Sequence, residues 1–113
     1  MIYTLARQGS LEGNGVVPFG EGTYFSVVNL TRGTATVHID TGLGIVAMQG
    51  TNANPEQEAS WATLDVTVGL DGGADVGDTQ LLQSALGVQY VRFLVTGSAA
   101  GRTVSVSFLG QGA

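Results

Sequence analysis

Thr34-Ala35-Thr36-Val37-His38-Ile39-Asp40 alternates without a break, with apolar side chains at 35, 37 and 39 and polar ones at 34, 36, 38 and 40. A period of two sends the two sets to opposite faces of an extended strand, one toward a core and one toward water. Leu64-Asp65-Val66-Thr67-Val68 repeats the pattern, as does Thr103-Val104-Ser105-Val106-Ser107-Phe108. Residues 24–30 and 90–96 are denser runs of aromatic and β-branched residues. They read as central strands covered on both faces, or on one face by a partner chain. Helical periodicity is nearly absent, and residues 81–86 are the one stretch that could form a helical turn.

Turn signals separate these runs: Gly13-Asn14-Gly15, Gly20-Glu21-Gly22, Arg32-Gly33, Gly42-Leu43-Gly44, residues 52–55, Gly72-Gly73 and residues 97–101. Glycine makes up 18 of the 113 residues, more than twice its usual share, with no three-residue period. Each supplies a tight turn at little steric cost. The length suits one domain with one core. About seven or eight strands at roughly ten-residue spacing predict an all-β antiparallel sandwich or barrel. Residues 1–20 are expected to form an N-terminal arm plus a first strand, because residues 9–22 hold few apolar anchors; residues 21–113 form the sandwich domain. For residues 61–68, a register with Leu64, Val66 and Val68 inward takes Ala62 with it and sends Trp61 to the other face or the edge.

The charge pattern excludes several functions. The formal net charge is −5, and the four basic residues, Arg7, Arg32, Arg92 and Arg102, are scattered along a chain with no lysine. Binding to nucleic acid needs clustered cations to displace counterions from phosphates, so no nucleic-acid partner is expected. An anionic membrane surface is equally unsuited, and no apolar run approaches a membrane span. The absence of cysteine excludes disulfides, thiolate nucleophiles and cysteine-based zinc sites. The first ten residues lack the apolar core of a signal peptide, which leaves the Asn29-Leu30-Thr31 sequon without a secretory context.

Candidate chemistry is sparse. His38, the single histidine, shares a strand face with Asp40, in the manner of a base and its orienting carboxylate. No nucleophile elbow accompanies the pair, so both read as ordinary solvent-facing strand residues. Asp71, Asp75 and Asp78 fall in one glycine-rich loop, but their spacing matches no calcium-binding motif. Glu56 and Glu58 share a loop instead of flanking a cleft, which gives no glycosidase pair. The expectation is a non-enzyme with no catalytic residue, no cofactor and no metal. Arg92 interrupts Tyr90-Val91-Arg92-Phe93-Leu94-Val95, the most hydrophobic run, so its charge must reach the surface or meet a carboxylate and stacking aromatics.

Val46-Ala47-Met48-Gln49-Gly50-Thr51-Asn52, then Ser60-Trp61-Ala62-Thr63-Leu64, then Tyr90-Val91-Arg92-Phe93 with Val95-Thr96-Gly97 and Gly101-Arg102-Thr103-Val104-Ser105-Val106 form a familiar order of elements. Over residues 45–109 the chain resembles small jelly-roll-like β-sandwich structural proteins of tailed-bacteriophage virions. The resemblance implies a jelly-roll-like sandwich in which the Gln-Gly-Thr-Asn strand end and the Trp strand form a hairpin. It also implies that Arg92 turns toward Trp61 and stacks on it. Trp61, Arg92, Tyr24 and Tyr90 are then the candidate interface or structural residues. The implied function is that of a capsid decoration (cement) protein of the virion, assembled in the host cytoplasm. Its partners would be the major capsid protein or another virion protein and copies of itself, as a homotrimer. Tail or neck association and a carbohydrate-binding module, with Trp61, Tyr24 or Tyr90 as sugar platforms, are the alternatives.

Overall fold

The computed structural model describes residues 3–20, 22–73, 76–99 and 101–112. Ten strands follow one another: β1 (Tyr3–Glu12), β2 (Gly15–Val16), β3 (Phe25–Ser26), β4 (Arg32–Ile39), β5 (Leu43–Thr51), β6 (Ala62–Val66), β7 (Leu70–Asp71), β8 (Asp78–Ala85), β9 (Tyr90–Thr96) and β10 (Thr103–Gly112). Among the described residues a single 3-10 turn, Glu58–Ser60, precedes β6. One antiparallel sheet has the order β1-β10-β4-β8 and the other β2-β9-β5-β6, with β3 also on β9 and β7 also on β5. β2 and β3 occupy one interrupted strand position, and β6 and β7 another. Eight positions remain, and consecutive ones mostly alternate between the sheets, giving the paired Greek keys of a jelly roll. The chain is an all-β antiparallel sandwich.

The alternating runs explain the layering. Ala35, Val37 and Ile39 of β4 and Val104, Val106 and Phe108 of β10 are buried against Val46 and Met48 of β5 and Val91, Phe93 and Val95 of β9. Phe93 and Phe108 meet across the two layers at 6.1 Å, and Phe25 and Phe19 complete a continuous aromatic cluster. Phe108 lies so close to Gly33 that a Cβ there would come within 2.8 Å of its ring. That glycine is a packing requirement of the core.

Three expectations change. Residues 81–86 form no helical turn: 81–85 continue β8, which pairs with β4 over eight residues, Leu82 inward and Leu81 outward. Eight residues of ladder outweigh the local pattern of paired leucines. Residues 24–30 are not a full strand. Only Phe25–Ser26 pair with β9, and Asn29, at φ 75°, turns the chain while Leu30 N–H closes on the Val27 carbonyl. Within residues 1–20, expected as an arm plus a first strand, all ten residues of β1 pair with β10. Gly9 permits this: a Cβ there would lie 2.2 Å from the Pro18 carbonyl oxygen. The inward register expected after Trp61 holds for Leu64 alone. Val66 and Val68 are 45% and 93% exposed, whereas Thr67 is buried. A β-bulge opposite Met48 and Gln49 shifts the pairing. Thr67 then donates its N–H to the Val46 carbonyl and accepts the Val46 N–H on its hydroxyl at 3.0 Å.

Candidate functional site

Alternation along β9 turns Val91, Phe93 and Val95 to the core and places Tyr90, Arg92 and Leu94 on the outer face of the second sheet. Arg92 is nevertheless only 6% exposed, because the loop after β5 folds back over it. Within that loop the Asn54 side chain accepts the Glu56 N–H, and the Ser60 hydroxyl reaches the carbonyls of Asn54 and Gln57. These bonds fix the 3-10 turn and present Glu58 and Trp61 to Arg92.

Each nitrogen of the guanidinium donates one hydrogen bond. Nε donates to Gln49 Oε1 at 2.7 Å, and the two terminal nitrogens donate to the Glu58 carboxylate at 2.8 and 2.5 Å. Its carbon lies 4.7 Å from the Trp61 ring centroid, so the tryptophan covers one face of the fork. The bidentate Arg92 hydrogen bonds hold the Glu58 carboxyl below the usual carboxylate range, partly opposed by desolvation. Trp61 Nε1–H donates to the Pro55 carbonyl at 3.1 Å. Tyr24 lies 6.1 Å from Trp61 and 5.5 Å, edge to face, from Tyr90. Its hydroxyl donates to Glu56 Oε1 at 2.5 Å, and that bond raises the phenol above its ordinary pKa.

The four residues singled out from the sequence, Trp61, Arg92, Tyr24 and Tyr90, therefore meet in one cluster on one face. Sequence reasoning missed the partners. Glu58 lies in a loop with nothing to mark it as the arginine's counter-ion, and Gln49 sits beside Arg92 through the β5–β9 register. Chemically the cluster is a clamp fastening the loop of residues 52–61 to the sheet. All three half-buried aromatic rings leave part of their surface to solvent.

The other candidates stay apart. His38 Nδ1 bonds the Thr79 hydroxyl at 2.8 Å, while Asp40 accepts the N–H groups of Thr41 and Thr103. The latter bonds, led by Thr103, hold Asp40 below the ordinary carboxylate range. Asp71 accepts the Gly73 N–H, and Asp78 accepts the Asp71 N–H, which lowers the Asp78 pKa. Asp75 lies outside the described residues. Among the described residues no group of three or more His, Cys, Asp or Glu side chains is placed to hold a metal ion.

No protein-family model and no curated protein sequence matches the chain. Solved structures do. The SPBc2 prophage-derived protein YomS superposes with a TM-score of 0.61 at 12% identity, over 98% of this chain and 95% of that one. The PRD1 vertex protein P5 gives 0.55 at 12%, over 97% and 96%. A β-1,3-glucan-binding CBM6 from Bacillus halodurans gives 0.51 at 16%, over 99% and 86%. The sandwich is thus one found in phage-derived proteins and in carbohydrate-binding modules. At these identities the likeness is one of fold.

Proposed function

We propose that the chain is a non-enzymatic structural component of a bacteriophage virion, most specifically a capsid decoration protein that docks on the major capsid protein. The observation that carries this reading is an apolar surface left in water by the fold. Leu43 and Ile45 of β5 are 61% and 42% exposed, and they border a shallow depression of about 420 Å³ floored by Leu70. Val66, opposite Ala47 in the β5–β6 ladder, extends the same outer face. Contiguous exposed apolar side chains on a small, sparsely charged sandwich suit a protein partner. Fold likeness to the prophage-derived and vertex proteins supports the particle assignment.

The test is co-sedimentation with capsids lacking decoration. The wild type is expected to pellet with them, and Ile45→Glu to stay in the supernatant while keeping its melting temperature. Pelleting with isolated tails alone moves the assignment to a tail or neck component; no pelleting with either refutes it.

A second reading rests on the half-buried Tyr24–Tyr90–Trp61 cluster and on fold likeness to the glucan-binding module. Aromatic faces beside polar loop residues suit stacking on sugar rings. Glycan-array binding that disappears in Tyr90→Ala, with no attachment to particles, favours this reading over the virion one.

A further inference from the structure

The four outer edges of the sandwich are not equally protected. In the first sheet, β8 is covered: Asp65 Oδ2 accepts the Gln83 N–H at 2.9 Å, and the Gln80 side chain spans to Val68 N–H and the Gly69 carbonyl. At the opposite end of that sheet, β1 runs for ten residues without a register shift and, among the described residues, pairs only with β10. Among the described residues, the backbone bonds outside the strand ladders involve no residue of Tyr3–Glu12, and its one side-chain hydrogen bond is from Arg7 to the neighbouring Ala6 carbonyl. The strand carries no proline and no bulge, and of the charges that blunt an edge it has Arg7 at its middle and Glu12 at its end. We propose that β1 is a self-pairing edge through which two copies of this chain join their first sheets antiparallel about a twofold axis.

The sequence of β1 selects the register. A twofold axis normal to the sheet pairs residues of the same face, so the two residue numbers sum to an even value. A sum of 14 sets Arg7 against Arg7 of the second copy, a like-charge pair. A sum of 16 removes that clash and still pairs residues 4–12. It sets Gln8 against Gln8, Leu5 against Leu11, Ala6 against Ser10 and Thr4 against Glu12, and it places the long Arg7 side chain opposite Gly9. Leu5 and Leu11 are the half-buried rim of the core, so each Leu5–Leu11 pair closes that rim from outside. Larger sums shorten the ladder. The covered β8 edge blocks head-to-tail addition of first sheets, which favours an isologous dimer over the threefold ring expected from the resemblance.

The chain has no cysteine, so single cysteines report the register cleanly. Under mild oxidation Gln8→Cys is expected to form a disulfide-linked dimer. Ala6→Cys and Ser10→Cys, each alone, are not, but an equimolar mixture of the two is expected to form the heterodimer. Light scattering on the wild type is expected to show two chains per particle at micromolar concentrations. Gln8→Lys, on the outer face and away from the core, is expected to weaken the dimer about fivefold by placing like charges opposite each other. A wild type that stays monomeric, a trimer, or equal cross-linking at positions 6, 8 and 10 overturns the proposal.

Discussion

Truncating Trp61 and Arg92 separately and together measures whether the clamp is a unit. Trp61 is half-buried, so Trp61→Ala falls below the roughly 3–5 kcal/mol cost of deleting a fully buried tryptophan. The ring contributes one face to the guanidinium, worth about 1 kcal/mol. Its contact with Tyr24 is worth about 0.5–1.5 kcal/mol, and its N–H bond to Pro55 about 1 kcal/mol. The expected loss is about 2–3 kcal/mol. Arg92→Ala strands no buried charge, because Glu58 is 76% exposed and returns to water. It removes the charge-assisted bond to Gln49, the bidentate pair and the packing of the arginine stem, for an expected loss of about 2 kcal/mol. The double variant should cost less than the sum by about 1 kcal/mol, since the stacking contact is counted in both single losses. Urea unfolding followed by far-ultraviolet circular dichroism reads all four proteins. A coupling below about 0.3 kcal/mol, within the additivity of independent sites, refutes the stacking argument.

Gly9→Ala should destabilise by about 1–3 kcal/mol through the forced contact with the Pro18 carbonyl, and a melting temperature equal to wild type contradicts the close approach. The depressed Glu58 pKa means that its stabilisation is present above the unfolded carboxylate value and lost as pH falls through the folded one. Glu58→Gln should therefore be less stable than wild type at pH 7, with the gap closing below about pH 4; a gap unchanged at pH 3 refutes the ion pair. Val68→Thr should leave stability within about 0.5 kcal/mol, whereas Met48→Ala should cost about 2–5 kcal/mol, a contrast that guanidinium titration resolves. EDTA should leave the melting temperature unchanged, because Asp71 and Asp78 already spend carboxylate oxygens on backbone N–H groups; a fall reversed by calcium alone refutes this.

The sequence by itself determined the layering of the sandwich wherever alternation was strict. In 34–40 and 103–108 each inward residue is named by the period of two, because a strand has only two faces and one of them must leave water. It also determined that Arg92 needs company, since a charge amid apolar β residues cannot be buried alone. The tertiary structure decided which company. Glu58 reaches Arg92 across 34 residues of chain, and nothing local distinguishes that carboxylate from Glu56. It also decided the course of 62–71, where one bulge turned Thr67 in and Val66 and Val68 out. A one-residue shift inverts every side chain of a strand, and short apolar windows do not encode where such a shift falls. β1 shows the same limit from the other side. Its ten residues carry weak local signals, and their strand state comes from the ladder that β10 offers, a pairing some hundred residues away along the chain. Backbone hydrogen bonding to a distant strand is invisible in composition, and it makes residues 3–12 an edge strand.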